Sequence, residues 1–167
     1  MATATKEAQA IMDRLDMLKK GHDLKIAINL SGRLVGDDVF VAWLIETLSP
    51  YPGCFCLEVT ETAVIDDHGA AISNIQKLRD SGVEISIDDY GSGLSSLAYL
   101  KQIPAHELKI DKSFVLPLSA GSADALLIKS TIDLAHSLGM KVTAEGVETG
   151  EIMSMLSVMG ADCAQGY

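Results

Sequence analysis

The chain is short of positive charge. Lys and Arg number 13 against 23 Asp and Glu, which leaves a formal net charge of −10 and a pI near 4.7. Nucleic-acid polymers are held mainly by basic side chains on phosphates, so none is expected as a partner. A small phosphate ligand stays compatible, provided that a metal carries the positive charge. Cysteine is scarce as well. Cys54, Cys56 and Cys163 are odd in number and their spacing fits no zinc site. They are expected to be small buried thiols in a reducing cytoplasm, with Cys54 and Cys56 on one face of a strand. No run of about 18 apolar residues is present, so no segment is expected to span a membrane. The opening MATATKEAQAIMDRL has no basic stretch leading into an apolar one, so no signal peptide is expected. No Pro/Ser linker or low-complexity tract divides the chain. What is present is apolar: 48% of the 167 residues are hydrophobic, enough for the core of one folded domain and incompatible with disorder.

Helix and strand patterns alternate. Helices are expected over residues 5–20, 37–48, 67–81, 95–101, 123–138 and 151–159, marked by apolar residues at helical spacing and by stops such as Gly21, Ser49-Pro50 and Gly139. Runs rich in Ile, Val and Leu lie between them, at 24–30, 54–60, 83–88, 107–110, 141–145 and 161–164. At Gly21, Gly82, Gly139 and Gly160 the order is helix, glycine, strand, the rhythm of repeated βα units with a parallel sheet.

Side-chain parity separates two parallel-sheet architectures, because successive residues of a strand point to opposite faces. One face collects Ile26, Ile28, Leu30, Leu57, Val59, Ile85, Ile87, Leu108, Ile110, Val142 and Ala144. The other collects small residues and then a polar group at the C-terminal end of each strand: Asn29, Glu58, Asp88, Lys109, Glu145 and Gln165. A doubly wound sheet carries helices on both sides and wants both faces apolar. One apolar face and one polar mouth instead fit the outside and inside of a (β/α) barrel. A full barrel has eight strands and about 250 residues, whereas six strands are countable here. The expected architecture is α/β, an incomplete (β/α)8 TIM-like barrel of about six parallel strands with outer helices. Residues 1–167 form one partial domain, its missing strands expected on the N-terminal side.

Asn29, Glu58, Asp88, Asp89, Lys109, Glu145 and Gln165 are therefore expected to converge at the mouth. Carboxylates and an amide are hard oxygen ligands and favour Mg²⁺ or Mn²⁺ over Zn²⁺. The adjacent Asp88 and Asp89 suit neighbouring metal ions, which about 3.5–4 Å apart clamp a phosphodiester and activate water for in-line attack. Lys109 is placed to orient that water or to neutralise charge in the transition state, and Glu145 to accept the proton. Taken singly, each residue has an ordinary explanation. Polar groups end most strands, and an Asp pair before Gly91 makes a turn or caps a helix. Glu58 and Glu61 suit a solvated strand end, and Gly91-Ser92-Gly93 lacks the spacing of a phosphate loop. Six strands delivering such a group in one register favour a site. His22, His68, His106 and His136 fall on helices or on loops entering strands, away from the mouth, and read as surface or packing groups. Trp43, Met153, Met155 and Met159 lie at helical spacing and read as packing residues.

Six ordered motifs carry a resemblance. They are Asn29-Leu30-Ser31; Leu57-Glu58-Val59-Thr60-Glu61; Asp88-Asp89-Tyr90-Gly91-Ser92-Gly93 followed by Ser95-Ser96-Leu97; Leu108-Lys109-Ile110-Asp111; Ala144-Glu145-Gly146-Val147-Glu148-Thr149; and Gln165-Gly166-Tyr167. In order and spacing, from residue 29 to the last, they resemble the EAL family of bacterial cyclic di-GMP phosphodiesterases. The resemblance implies metal-dependent hydrolysis of one phosphodiester bond of cyclic di-GMP, giving the linear dinucleotide. It implies that Asn29, Glu58, Asp88 and Asp89 hold divalent Mg²⁺ or Mn²⁺, and that Glu61 steadies the loop after the Asp pair. Lys109 and Glu145 would act on the attacking water, with Glu145 as general base. Asp111, Glu148 and Gln165 would support the site or the substrate. A homodimer is implied for the complete domain.

The match has two departures. The loop reads DDYGSGLSS where the family usually reads DDFGTGYSS, and Leu94 in place of Tyr is the largest change. The family couples this loop to dimerisation, so regulation is where a difference is expected. The Glu-Ala-Leu signature, with its metal-binding Glu and a nearby guanine-contacting Arg, is not in the sequence. It is expected upstream of Met1, and hydrolysis by this chain alone is expected to be impaired. Two other readings stay open. One is a non-catalytic EAL-like module that binds cyclic di-GMP or a protein. The other is an enolase-like barrel lyase, which wants a second strand-borne Lys as base; Lys109 alone is in register.

Overall fold

The computed structural model describes residues 8–9, 11–15, 25–60, 68–91 and 100–166. Six strands form one parallel sheet in chain order: β1 (Ile26–Leu30), β2 (Phe55–Thr60), β3 (Glu84–Tyr90), β4 (Glu107–Ile110), β5 (Lys141–Glu145) and β6 (Cys163–Gln165). Between them lie α1 (Gly32–Val35), α2 (Asp38–Leu48), α3 (His68–Asp80), α4 (Lys112–Val115), α5 (Ala123–Ser137) and α6 (Gly150–Met159). Each strand pairs in parallel with the next. That sequential order belongs to a barrel wall, since a doubly wound sheet reverses its order at a switch point. The sheet is an arc of a (β/α) barrel, as parity predicts.

Local chemistry sets the helix ends. Asp37 caps α2 by accepting hydrogen bonds from the backbone N–H groups of Val39 (3.0 Å) and Phe40 (3.1 Å). Ser122 caps α5 through the Ala125 N–H at 3.1 Å. Each cap satisfies amides that a first helical turn leaves unpaired. Helix α6 ends at Gly160, whose φ of 95° is the left-handed conformation common at helix ends. Helical residues 11–15 bring Ile11 and Leu15 into the core. The rest of the helix expected at 5–20, and nearly all of the one expected at 95–101, lie outside the described residues. Helices α1 and α4 go beyond the expectation; with four residues each they are too short to show a period.

The outer face behaves as parity predicts. Its aliphatic residues on β1–β5 are all buried, against Leu44, Leu48, Ile75, Leu78, Ile128 and Ile132 of the helices. Burying such a side chain contributes about 1.5–3 kcal/mol, so this layer holds the sheet together. The inner face grades outward from its middle. Cys56, Ser86, Lys109 and Thr143 on β2–β5 are buried, whereas Ala27, Asn29, Cys163 and Gln165 on β1 and β6 are exposed. Cys163 thus departs from the expected buried thiol, because its strand has a neighbour on one side alone among the described residues. Cys56 conforms: burial, helped by the charges of Glu107 and Glu84, pushes its thiol up to about 12 and leaves it inert. Met153 also departs, lying on the solvent side of α6, while Trp43, Met155 and Met159 pack against the core. His106 packs before β4, its Nδ1 accepting the Ile85 N–H at 3.1 Å, and His136 on α5 pairs with Asp162. Both lie away from the mouth. His22 and the side chain of His68 are outside the described residues. No described helix is long and apolar enough to cross a membrane.

Candidate active site

Strand β3 changes step at its C-terminal end. Ile87 pairs with Leu108 of β4, and the next pair is Tyr90 with Ile110. Asp88, Asp89 and Tyr90 therefore span the interval that β4 covers with Lys109 and Ile110, a β-bulge of one extra residue. Asp89 takes a φ of 55°, the one positive φ outside glycine among the described residues. Asp tolerates this region better than most side chains do. The bulge returns Tyr90 to the buried outer face, and both aspartates leave the sheet toward the mouth. Regular alternation would have sent them to opposite faces. Carboxylate oxygens of Asp88, Asp89 and Glu145 come within 4.8 Å of one another.

Lys109 occupies the centre. It is 6% exposed, and its Nζ lies 2.6 Å from Glu145 Oε1, 3.0 Å from Glu58 Oε1 and 3.0 Å from Asp88 Oδ1. Burial opposes the ammonium's charge, but the carboxylates of Glu145, Glu58 and Asp88 outweigh it and hold Lys109 above its usual range. It stays protonated at neutral pH and is no base. Three ion pairs also exclude the plain surface lysine. Asp89 is pushed up, first by burial and then by the charges of Asp88 and Asp111.

The residues present fit a cation. Three carboxylates, those of Glu58, Asp88 and Glu145, share one ammonium, and the carboxylate of Asp89 joins two of them within 4.8 Å. Asp88 Oδ1 is buried, and Lys109 Nζ stands 3.0 Å from it as an ion pair. Together with the carboxylates of Asp89 and Glu145 it forms a hard oxygen donor set suited to a divalent ion.

The other expected residues are placed less centrally. Asn29 pairs in register with Glu58, and Gln165 with Glu145, but both side chains sit at exposed strand ends. Glu148 is exposed in the segment after β5. Asp111 caps α4, accepting from the Ser113 N–H at 3.0 Å. Burial works against its negative charge, but bonds from the Ser113 hydroxyl and from the amides of Ser113 and Lys112 prevail and hold its carboxyl below the usual range. Glu61, Ser92, Gly93 and Ser95-Ser96-Leu97 lie outside the described residues. Ser86 escapes sequence reasoning: it is fully buried on the inner face and its Oγ has no hydrogen-bond partner. A small polar residue in a strand carries no signal that would single it out.

The chain is similar to known proteins in sequence and in fold. The EAL domain family model matches residues 3–167. The bifunctional diguanylate cyclase/cyclic di-GMP phosphodiesterase MucR of Pseudomonas aeruginosa is 40% identical over 156 residues, covering 90% of this chain and 22% of MucR. The cyclic di-GMP phosphodiesterase PdeB of Shewanella oneidensis is 35% identical over 145 residues, covering 85% of this chain and 17% of PdeB. The chain spans about a fifth of the length of the curated relatives it matches. Among solved structures, the PaMucR phosphodiesterase in its c-di-GMP complex is similar with a TM-score of 0.83 at 36% identity, over 99% of this chain and 68% of that one. An EAL domain protein from Listeria monocytogenes is similar with a TM-score of 0.83 at 33% identity, over 96% of this chain and 64% of that one. With a family match along nearly its whole length and the barrel arc of solved EAL domains, the chain belongs to the EAL domain family.

Proposed function

We propose that the chain carries the central part of a cyclic di-GMP phosphodiesterase site, which hydrolyses one phosphodiester bond to the linear dinucleotide with Mg²⁺ or Mn²⁺. The observation that supports this best is the cluster at the mouth, where Asp88, Asp89 and Glu145 meet within 4.8 Å around the ammonium of Lys109. Glu58, Asp88 and Asp89 would hold the cation, with Asn29 beside Glu58. When bound, the ion supplies Lewis acidity toward the phosphate oxygens and acidifies a water. The chain's own groups do the rest. Lys109, protonated and fixed by carboxylates, presents positive charge where negative charge builds in the transition state. Glu145, beside it, takes the proton of the attacking water. Glu61, Asp111, Glu148 and Gln165 support the loops and the substrate around them. A site this acidic repels a nucleotide phosphate, so the cation serves binding as well as chemistry. By likeness to the family, the proposal extends to a cytoplasmic location and to a homodimer of the complete domain.

The second reading is a module that binds cyclic di-GMP without turnover, which the absence of a Glu-Ala-Leu signature from the sequence favours. Turnover separates the two. With Mn²⁺, this chain alone should hydrolyse cyclic di-GMP weakly, and a chain extended upstream should do so well. In the extended chain Glu145→Gln should lower turnover by about 10²–10⁴-fold while cyclic di-GMP still binds. Near-normal turnover in that variant would assign proton transfer to another group, and no turnover by the extended wild type would leave the binding module as the reading.

A further inference from the structure

Helix α4 is four residues long and follows Lys109 after two residues, yet it touches the backbone on both sides of the carboxylate cluster. On one side stands Gly91, two residues beyond Asp89. A Cβ placed there would lie 2.4 Å from Cε2 of Phe114 and 3.0 Å from its Cδ2 and Cζ. On the other side stands Gly146, the residue after Glu145. A Cβ placed there would lie 2.5 Å from Cβ of Lys112 and 3.3 Å from its Cα. Both glycines have positive φ, 99° and 71°. Neither glycine has room for a side chain, so the backbone packs closely against α4 at two points, one beyond the Asp pair and one beyond Glu145.

Hydrogen bonds hold the flanking segments, one to the cap of α4 and one to β6. The Asp111 N–H donates to the Tyr90 carbonyl at 3.3 Å, just past the bulge, and the Val147 N–H donates to the Gln165 carbonyl at 3.0 Å. The Asp111 side chain caps the helix itself. We propose that α4 is the spacer that sets the distance between the Asp88–Asp89 bulge and Glu145, with Phe114 as its positioning residue. This rests on the reading of that cluster as a cation site. Repulsion between closely packed atoms is steep, so a displaced helix moves the backbone it touches. Cation ligands must be held to about half an ångström, by groups whose own positions are locked. An ordinary core aromatic would support the fold without bearing on the cluster, and that is the alternative to test.

The test uses the 167-residue chain, Phe114→Ala, Gly91→Ala and the double variant. Amide hydrogen exchange without metal reads the spacer, and Mn²⁺ titration reads the site. In Phe114→Ala, protection should fall at both the Asp111 and Val147 amides while the Ile132 amide in α5 keeps its own. Mn²⁺ should bind about 10–100-fold more weakly, as is usual when the support of a ligand is removed. Gly91→Ala should also weaken Mn²⁺ binding, since an added Cβ meets Phe114 and a φ of 99° strains alanine, and the loss in the double variant should be at least about threefold smaller than the product of the two single losses, because contacting residues couple. Mn²⁺ affinity within about twofold of wild type in Phe114→Ala overturns the proposal. So does a loss of protection at Asp111 that leaves Val147 untouched. If the wild type binds no Mn²⁺, the cation reading falls by itself, and the exchange of the two amides still decides whether α4 spaces the loops. Should Phe114→Ala not fold, Phe114→Leu takes its place with the same readouts.

Discussion

The inner face of the sheet has two kinds of strand end. On β2–β5 the terminal polar groups meet: Glu58, Asp88 and Glu145 each reach Lys109 within 3.0 Å. On β1 and β6 the residues in the same register, Asn29 and Gln165, stand in water. The chemistry of the residues explains less of this than their neighbours do. A strand with partners on both sides delivers its side chain into a space walled by other side chains, where water is displaced and charges act strongly on one another. A strand with one partner delivers its side chain to solvent, where a contact contributes little. Among the described residues, charge is therefore concentrated in the middle of the arc, where the acidic cluster meets Lys109.

The largest effect should come from Lys109→Met, which strands three carboxylates around a buried position. Breaking a buried ion pair by removing one partner costs about 3–5 kcal/mol, and urea unfolding with EDTA should show a loss of that order, partly recovered in Mn²⁺. A loss below about 1 kcal/mol would place the cluster with ordinary surface pairs and erase the contrast between centre and edge. Next, Asp88→Asn should weaken Mn²⁺ binding by at least about tenfold, as loss of a charged ligand does. In the same titration series Asn29→Ala and Gln165→Ala should leave folding stability within about 0.5 kcal/mol. Equal effects at centre and edge on both measurements would break the comparison.

Ser86→Ala sharpens it from the other direction. The Ser86 Oγ is buried without a partner, so removing it should stabilise the fold by about 1 kcal/mol. Destabilisation would reveal a water held beneath the cluster. The smallest effect is a pH slope from the N-terminal end of the sheet. His106 is held below the usual histidine range by burial, with Arg79 next. The unfolded chain then takes up a proton more readily than the folded one. Its stabilising contribution is complete above about pH 6.5, the unfolded value, and is lost as pH falls toward the lowered folded value. Thermal unfolding of His106→Asn should show a flatter acid limb than wild type between those limits. Identical limbs would mean that burial at this position does not act on the ring.

Much of the site was legible in advance because strand parity is local. Ile28, Leu57, Ile85, Leu108 and Val142 mark the outer face by covalent geometry alone, and the residues on the other parity then had to face the mouth. Glu58, Lys109 and Glu145 could be named on that basis. Asp89 is expected at the mouth because it adjoins Asp88 at a strand end, although alternation alone sends it to the other face; the bulge is what brings it there. Asp111 is unreadable as a helix cap without α4, whose four residues are too few for a period.

The sequence by itself determined the sheet face of the aliphatic residues on β1–β5, the strand order expected of βα repeats, and the acidic character of the mouth. These follow from side-chain alternation, helix stops and composition, all properties of neighbouring residues. Tertiary structure decided which of those residues touch. The bulge at Asp88–Asp89 exists only in the pairing of β3 with β4. The charge on Lys109 is secured by Glu58, 51 residues away and two strands over, and by Glu145 on the neighbouring strand. The close contacts of α4 with Gly91 and Gly146 join segments that no local pattern connects. Register, burial and contact distance depend on strands far apart in the chain, and that dependence is what turns a set of polar strand ends into a site.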